Sequence, residues 1–156
     1  MLSIAGLSVA IGRIDILHDV ALDVPTGATA GLIGRNGAGK TTLMRAIMGL
    51  LPAKSGRVVL EDREVTGLPP YRRARLGIGY MPEDRRLVPA LAVEENVLLP
   101  AWATGHAAAK QRLDLVYGLM PEVAAFAARK ALQLSGGQQK LVALARALIC
   151  GTKVLL

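Results

Sequence analysis

A glycine-rich octapeptide is the feature that most restricts how this chain folds. Residues 34–41 read GRNGAGKT and satisfy the pattern G-x-x-x-x-G-K-[ST]. The apolar run ATAGLI, residues 28–33, precedes the octapeptide, and the helical pattern TTLMRAIMGL begins at Thr41. A strand, a glycine-rich loop and a helix in this order turn backbone N–H groups toward a phosphate at the start of the helix. We therefore predict an α/β fold with a buried strand at residues 28–33 and a phosphate-binding loop.

The residue types within this loop have distinct predicted tasks. Gly34, Gly37 and Gly39 permit backbone angles and a close approach that a Cβ atom would prevent. Lys40 brings an ammonium group to the β- and γ-phosphates of a nucleotide, and the Thr41 hydroxyl is a candidate Mg²⁺ ligand. The predicted nucleotide-binding residues of the loop are Gly34, Arg35, Asn36, Gly37, Ala38, Gly39, Lys40, Thr41 and Thr42. Kinases of small molecules, GTPases, helicases and transport ATPases all remain open on this loop alone.

A second glycine motif, LSGGQQ, occupies residues 134–139 and precedes the long amphipathic pattern KLVALARALIC. Ser135 is a candidate N-cap for that helix. Gly136 and Gly137 would expose backbone N–H groups at the positive end of the helix dipole. The chain thus carries a second device suited to an anion.

The remaining pattern divides the chain into a strand-rich part and a helical part. Short apolar strands separated by turns fill the first third, and from Val93 alanine-rich helical patterns follow, broken by Pro100, Gly105 and Pro121. The segment KVLL, residues 153–156, begins another strand. We predict one incomplete domain with three parts: a strand-rich nucleotide-binding part at 1–92, a helical subdomain at 93–134, and a second-motif helix with the start of a core strand at 135–156.

Composition limits the class of protein further. At 156 residues the chain is long enough for one domain with a core, and its net charge of +7 favours an anionic partner. No apolar run reaches the roughly 18 residues that a membrane-spanning helix needs. The N-terminus lacks the pattern of a signal peptide. Cys150 is the single cysteine, which rules out a disulfide within the chain.

The two glycine motifs together resemble those of the ATP-binding subunits of ABC transporters, and the resemblance covers Leu2 to Leu156. It implies an α/β P-loop ATPase core with an N-terminal antiparallel region, a helical insertion and a final strand cut short. It implies ATP and Mg²⁺ as ligands, and a second ATPase subunit, identical or different, as the head-to-tail partner. It also implies membrane-spanning permease subunits and a peripheral location on the cytoplasmic face of the inner membrane. The signature residues that would cap the partner's ATP are Leu134, Ser135, Gly136, Gly137 and Gln138.

The stretch GIGYMPEDRRLVPALAVEENVLLPA, residues 77–101, is similar to ATPases of branched-chain amino acid importers, which work with a periplasmic solute-binding protein. ATPases of urea and amide importers look much alike. Glu83 occupies the position at which most of the family has a glutamine that touches Mg²⁺ and the membrane domain, so the resemblance makes it a second metal candidate beside Thr41. The alternative is a surface carboxylate paired with Arg85 or Arg86.

Two positions depart from the family pattern. Ile11, before Gly12, stands where the family stacks an aromatic side chain on adenine, so we expect weak selection of the base. In the family, a strand like 153–156 continues to an aspartate that organises Mg²⁺ and a glutamate that polarises water. A histidine later in the family's sequence contacts the γ-phosphate. His18 and His106 lie too early in this chain for that role. We therefore expect no catalytic residue within these 156 residues, and nucleotide binding with poor cleavage.

Four functions follow from these observations. The leading hypothesis is the ATPase subunit of an ABC importer for branched-chain or related amino acids, truncated in this sequence. A non-hydrolytic nucleotide-binding module is the second. An ABC-type ATPase acting on nucleic acid or ribosomes is a third, although we expect no nucleic acid because the chain lacks zinc-ligand cysteine pairs and tandem ATPase halves. A small-molecule kinase is the fourth, and it is disfavoured because the motif LSGGQQ has no role in such an enzyme.

Overall fold

The computed structural model describes residues 1–105 and 108–156, so His106 lies outside the described residues. It divides into two compact units, residues 1–73 and residues 74–156. The sequence pattern instead places its first boundary at residue 92, and the predicted three-part division stays a prediction. Within the described residues, no helix combines the length and apolarity that crossing a membrane requires.

The first unit is built on an antiparallel sheet of four strands in the order β2-β1-β3-β4. The first strand buries Leu2 and Ile4 and then, after a register shift between Ile4 and Leu7, Leu7 and Val9, so each half shows the period-two pattern of a sheet with one covered face. The predicted N-terminal antiparallel region is therefore confirmed. The strands are β1, Leu2–Ile11; β2, Ile14–Val24; β3, Ser55–Leu60; and β4, Arg63–Glu64.

One helix lies in this unit and a second begins in it. Helix α1, Lys40–Ile47, follows the glycine-rich loop as predicted and buries Leu43, Ala46 and Ile47. Gly49, with φ of 78°, takes the left-handed conformation that ends the helix. Helix α2, Pro70–Arg75, was not predicted, because six residues are too few to show a helical period.

The prediction of a buried strand at residues 28–33 is wrong for this structure. These residues have no strand assignment and are exposed, and the side chain of Ile33 is 95% accessible. A strand buried on both faces needs paired strands at its edges and cover above and below. No described strand pairs with this segment, so it lacks the partners that a buried strand requires.

The second unit is mainly helical, as the alanine-rich patterns predict. Its elements are β5, Ile78–Gly79; α3, Val93–Thr104; α4, Ala109–Leu119; α5, Pro121–Ala124; a 3-10 turn, Ala131–Gln133; α6, Gly136–Cys150; and β6, Val154–Leu155. Strand β6 confirms the strand expected within KVLL and pairs in parallel with β5. The core lies between the helices and contains Val93, Val97, Leu113, Val116, Val123, Val142 and Ile149.

Pro100 does not break its helix, contrary to the sequence pattern. Helix α3 continues through it to Thr104. Proline inside a helix removes one hydrogen bond and crowds the preceding turn, at a cost of about 3 kcal/mol. Burial of Val93, Val97 and Ala101 along one side of α3 offsets that cost, and the Thr104 hydroxyl donates to the Pro100 carbonyl oxygen at 2.8 Å.

Candidate nucleotide-binding site

The phosphate-binding loop, residues 34–42, presents the first turn of α1. Gly37 and Gly39 have φ of 84° and 88°, a region that glycine enters at no steric cost. The first hydrogen bond of the turn runs from the Leu43 N–H to the Gly39 carbonyl oxygen at 2.8 Å. The N–H groups of Lys40, Thr41 and Thr42 therefore have no acceptor within the helix and lie at its positive end.

Strand β2 supports the end of this loop by a close contact at Gly39. A Cβ atom placed on Gly39 would lie 2.8 Å from Leu17 Cδ2 and 3.5 Å from Ile16 Cγ2. Leu17 is buried, so it has little room to withdraw. The backbone angle therefore favours glycine at position 39, and a Cβ atom there would in addition displace the Leu17 side chain.

Lys40 holds the loop through its side chain. Its Nζ donates to the carbonyl oxygens of Gly34 and Arg35, each at 2.7 Å, and the Ala38 N–H donates to the same Arg35 oxygen at 3.1 Å. The ammonium group therefore lies at the same loop as the helix-start N–H groups that have no acceptor within the helix. These N–H groups and the Lys40 ammonium together fit a phosphate group, and Gly39 has no Cβ atom that would crowd the loop.

The same loop offers limited protein ligation for Mg²⁺. Thr41 is exposed in the first turn of α1, and Glu83 is exposed in the second unit. Across residues 1–105 and 108–156, no group of three or more His, Cys, Asp or Glu side chains can hold a metal ion. The Thr41 hydroxyl fits the way Mg²⁺ binds beside phosphates, with few protein ligands and the rest supplied by the nucleotide and water.

Ile11 lies at the tip of the β1–β2 hairpin, where it pairs with Ile14. Both side chains are exposed, Ile11 at 46% and Ile14 at 67%. Gly12, with φ of 62°, makes the turn between them. The tip therefore offers an aliphatic surface without an aromatic ring, and contact of Ile11 with a base stays a prediction.

The signature turn, residues 134–139, starts α6 with the predicted cap. The Ser135 Oγ accepts from the Gln138 N–H at 3.3 Å, and the Gln138 Oε1 accepts from the Ser135 N–H at 3.0 Å. This reciprocal pair is a capping box. Gly136 and Gly137 are exposed, while Leu134 is buried beneath the turn. The cap is confirmed, and the part that the turn plays toward a nucleotide stays a prediction.

Arg85 contacts the signature turn, which the sequence did not reveal. Its Nη1 donates to the Gln139 Oε1 at 3.0 Å and to the Gly136 carbonyl oxygen at 3.3 Å. The Gln139 Nε2 in turn donates to the Leu134 carbonyl oxygen at 3.2 Å. The sequence shows only a basic cluster around Arg85, and such clusters are usually solvated surface, so nothing in it identified this contact.

The backbone at Arg85 is held by an arginine from the middle of α6. Arg85 and Arg86 have φ of 59° and 49°, unusual values for residues other than glycine. Arg146 donates through Nη1 to the Arg86 carbonyl oxygen at 2.7 Å and through Nη2 to the Arg85 carbonyl oxygen. Burial lowers the pKa of Arg146, and the guanidinium remains charged because its ordinary pKa is so high.

The side chain of Arg86 points to Asp84 instead of Glu83. Its Nε lies 2.7 Å from Asp84 Oδ2, and this hydrogen bond raises the pKa of Arg86. Within the described residues no ion pair joins Glu83 to Arg85 or Arg86, so the alternative role for Glu83 as their partner is not seen. Glu83 stays a prediction as a metal ligand.

The octapeptide GRNGAGKT, which satisfies G-x-x-x-x-G-K-[ST], lies at the start of α1, and this places the chain in the class of P-loop nucleotide-binding proteins. A family model described as "ABC transporter" matches residues 17–156. The chain therefore belongs to the ABC transporter family, and the resemblance stated from its two glycine motifs is confirmed.

Curated relatives are similar over most or all of the chain. A probable branched-chain amino acid transport ATP-binding protein, LivF of Archaeoglobus fulgidus, is 38% identical over 100% of this chain and 66% of its own length. The high-affinity branched-chain amino acid transport ATP-binding protein BraG of Pseudomonas aeruginosa is 38% identical over 100% of this chain and 67% of its own. The lipopolysaccharide export system ATP-binding protein LptB of Escherichia coli is 36% identical over 90% of this chain and 59% of its own.

Solved structures confirm the predicted fold class. A nucleotide-free ATP-binding cassette from an ABC transporter is similar with a TM-score of 0.82 and 26% identity, over 99% of this chain and 67% of its own. A dimeric bacterial ABC transporter cassette also gives a TM-score of 0.82, with 27% identity over 99% of this chain and 72% of its own.

The chain spans about two thirds of the length of LivF and BraG, at 66% and 67%.

Proposed function

We propose that this chain is the ATP-binding subunit of an ABC transporter and that it binds ATP with Mg²⁺ at the phosphate-binding loop. The observation that carries the proposal is the geometry of that loop. The first N–H groups of α1, which have no acceptor within the helix, lie on the same loop as Lys40, whose Nζ is only 2.7 Å from two loop carbonyl oxygens. These groups bind and orient the β- and γ-phosphates, and Thr41 contributes its hydroxyl where the metal joins them.

The signature turn acts, in this proposal, on the nucleotide of a second ATPase subunit. The exposed N–H groups of Gly136 and Gly137 lie at the positive end of a capped helix, which suits a γ-phosphate presented from outside. One similar cassette structure is described as dimeric, which supports a paired arrangement for this chain. Permease subunits that span the membrane complete the assembly, with the ATPase peripheral on the cytoplasmic face of the inner membrane.

For the transported solute we propose branched-chain or related amino acids, delivered by a periplasmic solute-binding protein. The support is the similarity to LivF and BraG, both named for branched-chain amino acid transport, over the whole chain. LptB, named for lipopolysaccharide export, is only slightly less similar at 36% identity, so export is the competing function.

For residues 1–156 alone we propose nucleotide binding with little hydrolysis. In the family, the metal-organising aspartate and the glutamate that polarises water follow the strand that corresponds to β6, Val154–Leu155. Binding needs only the loop and Lys40, whereas cleavage needs a group that activates water. A polypeptide of residues 1–156 that hydrolyses ATP at the rate of a whole cassette would contradict this point.

The proposed function is tested with the subunit assembled in its transporter. The test measures ATP turnover in membrane vesicles with and without leucine, isoleucine or valine and the solute-binding protein. Because transport and hydrolysis are coupled in such an assembly, we expect turnover to rise when the correct amino acid is delivered. If the rate of ATP turnover does not change with amino acids and rises with lipopolysaccharide, the result would support lipopolysaccharide export instead. Failure of the subunit to bind ATP would overturn the proposal as a whole.

We predict weak discrimination between ATP and GTP because Ile11 supplies aliphatic contact without ring stacking. The dissociation constants of the two nucleotides should lie within about tenfold of each other. Ile11→Tyr should strengthen ATP binding by roughly 0.5–1.5 kcal/mol, the worth of an aromatic stack. Competition of ATP and GTP for a fluorescent nucleotide measures both, with Ile14→Tyr as the control at the neighbouring exposed position. A strong ATP preference in the unchanged chain would count against this role of the hairpin tip.

A further inference from the structure

The contact between Arg85 and the signature turn has no explanation in helix stability. A cation near the N-terminus of a helix is placed against the positive end of its dipole. Arg85 nevertheless reaches the first turn of α6, where its Nη1 lies 3.0 Å from Gln139 Oε1 and 3.3 Å from the Gly136 carbonyl oxygen. Such an arrangement is favourable when the same turn receives an anion, because the guanidinium then adds to the field of the N–H groups.

The backbone that carries Arg85 to this contact is strained. Arg85 and Arg86 both have positive φ, of 59° and 49°, and non-glycine residues in that region persist only where their surroundings fix them. Arg146 supplies that fixation through the carbonyl oxygens of both residues. The Arg146 guanidinium of α6 thus fixes the backbone at residues 85–86, and this backbone directs the Arg85 guanidinium to the start of the same helix.

We infer that Arg85 is a positioning residue of the signature turn, which orients Gly136 and Gln139 and adds positive charge where the phosphate of a second subunit's nucleotide is received. The inference rests on the proposed function, since it assigns Arg85 to the phosphate-capping step. Arg85 itself acts through the turn, because both of its acceptors belong to the turn. The Gln139 Nε2 in turn donates to the Leu134 carbonyl oxygen at 3.2 Å.

The first test is amide hydrogen exchange across residues 134–140 in the whole subunit. With Arg85→Ala, loss of two charge-assisted hydrogen bonds should speed exchange in this stretch about tenfold. Arg85→Lys keeps the charge with a single donor group and should restore part of the protection. Arg86→Ala is the matched control, because the Arg86 side chain contacts Asp84 and its carbonyl remains available to Arg146. Equal exchange in Arg85→Ala and Arg86→Ala would overturn the inference.

The second test separates capping from binding at the subunit's own loop. Under dilute conditions that keep the subunit monomeric, Arg85→Ala should leave the ATP dissociation constant within about twofold of the unchanged value, because Arg85 does not serve that loop. In the assembled transporter its kcat should fall about tenfold, since the partner's nucleotide loses an oriented cap. Weakened ATP binding by the monomer, or unchanged turnover, would contradict the inference. Absence of ATP binding in the unchanged subunit would instead refute the proposed function, and the exchange experiment would still decide the role of Arg85 in the turn.

Discussion

Replacing Lys40 by alanine should weaken ATP binding about 100-fold, the largest effect we expect from any single substitution in the phosphate-binding loop. A charge-assisted hydrogen bond contributes about 1.5–3 kcal/mol, and an ammonium group has three N–H donors, so Lys40 keeps one to donate between the β- and γ-phosphates in the proposed pose. The same Nζ holds the loop through the carbonyl oxygens of Gly34 and Arg35. The substitution therefore removes both the ligand contact and the side chain that holds the loop together.

Titration with a fluorescent ATP analogue measures the change, and Lys54→Ala is the matched control. Lys54 is an exposed lysine of the same unit whose Nζ lies 2.9 Å from an exposed carboxylate, that of Asp15. Exposed pairs of this kind contribute little to stability, so Lys54→Ala should bind ATP like the unchanged chain. Comparable ATP affinity in Lys40→Ala and the unchanged chain would place the nucleotide somewhere other than this loop. Circular dichroism of Lys40→Ala checks that the fold is retained.

The sequence predicted those parts of the fold that depend on local pattern. Strands β1 and β2, helix α1 and the cap at Ser135 are each specified by residues within a few positions of one another. The family followed from two short motifs for the same reason, because the glycine-rich loop and LSGGQQ carry their chemistry in consecutive residues. Such features need no knowledge of what packs against them.

The predictions that failed depend on neighbours. The strand at residues 28–33 requires partner strands, and no described strand pairs with it. Pro100 stays inside α3 because burial of that helix outweighs the local preference to break. The signature contact of Arg85 joins residues 51 positions apart, and the carbonyl contact of Arg146 joins residues 60 apart. An arginine that donates to distant carbonyl oxygens leaves no spacing pattern in the sequence, so only the structure reveals it.

Arg73 is the arginine of this kind with the largest expected effect on stability. It is only 3% exposed, and its guanidinium caps the C-terminal end of α1. Nη1 donates to the carbonyl oxygens of Ala46 at 2.9 Å and Ile47 at 2.7 Å. Nε and Nη2 donate to the carbonyl oxygens of Leu68 at 2.8 Å and Thr66 at 2.6 Å. Burial lowers the pKa of Arg73, and a cation at the end of a helix is favoured by its dipole.

Arg73→Ala should therefore lower the free energy of unfolding of residues 1–73 by about 3 kcal/mol or more, since it leaves four carbonyl oxygens without their charged donor. Arg73→Lys should recover only part of the loss, because one ammonium group cannot replace three nitrogens in a planar fork. Arg72→Ala, at an exposed arginine of the same short helix, is the matched control and should change the free energy by less than about 0.5 kcal/mol. Native-state hydrogen exchange of α1 amides measures all three variants. Equal protection of α1 in Arg73→Ala and Arg72→Ala would show that the cap does not stabilise the helix that carries the phosphate-binding loop.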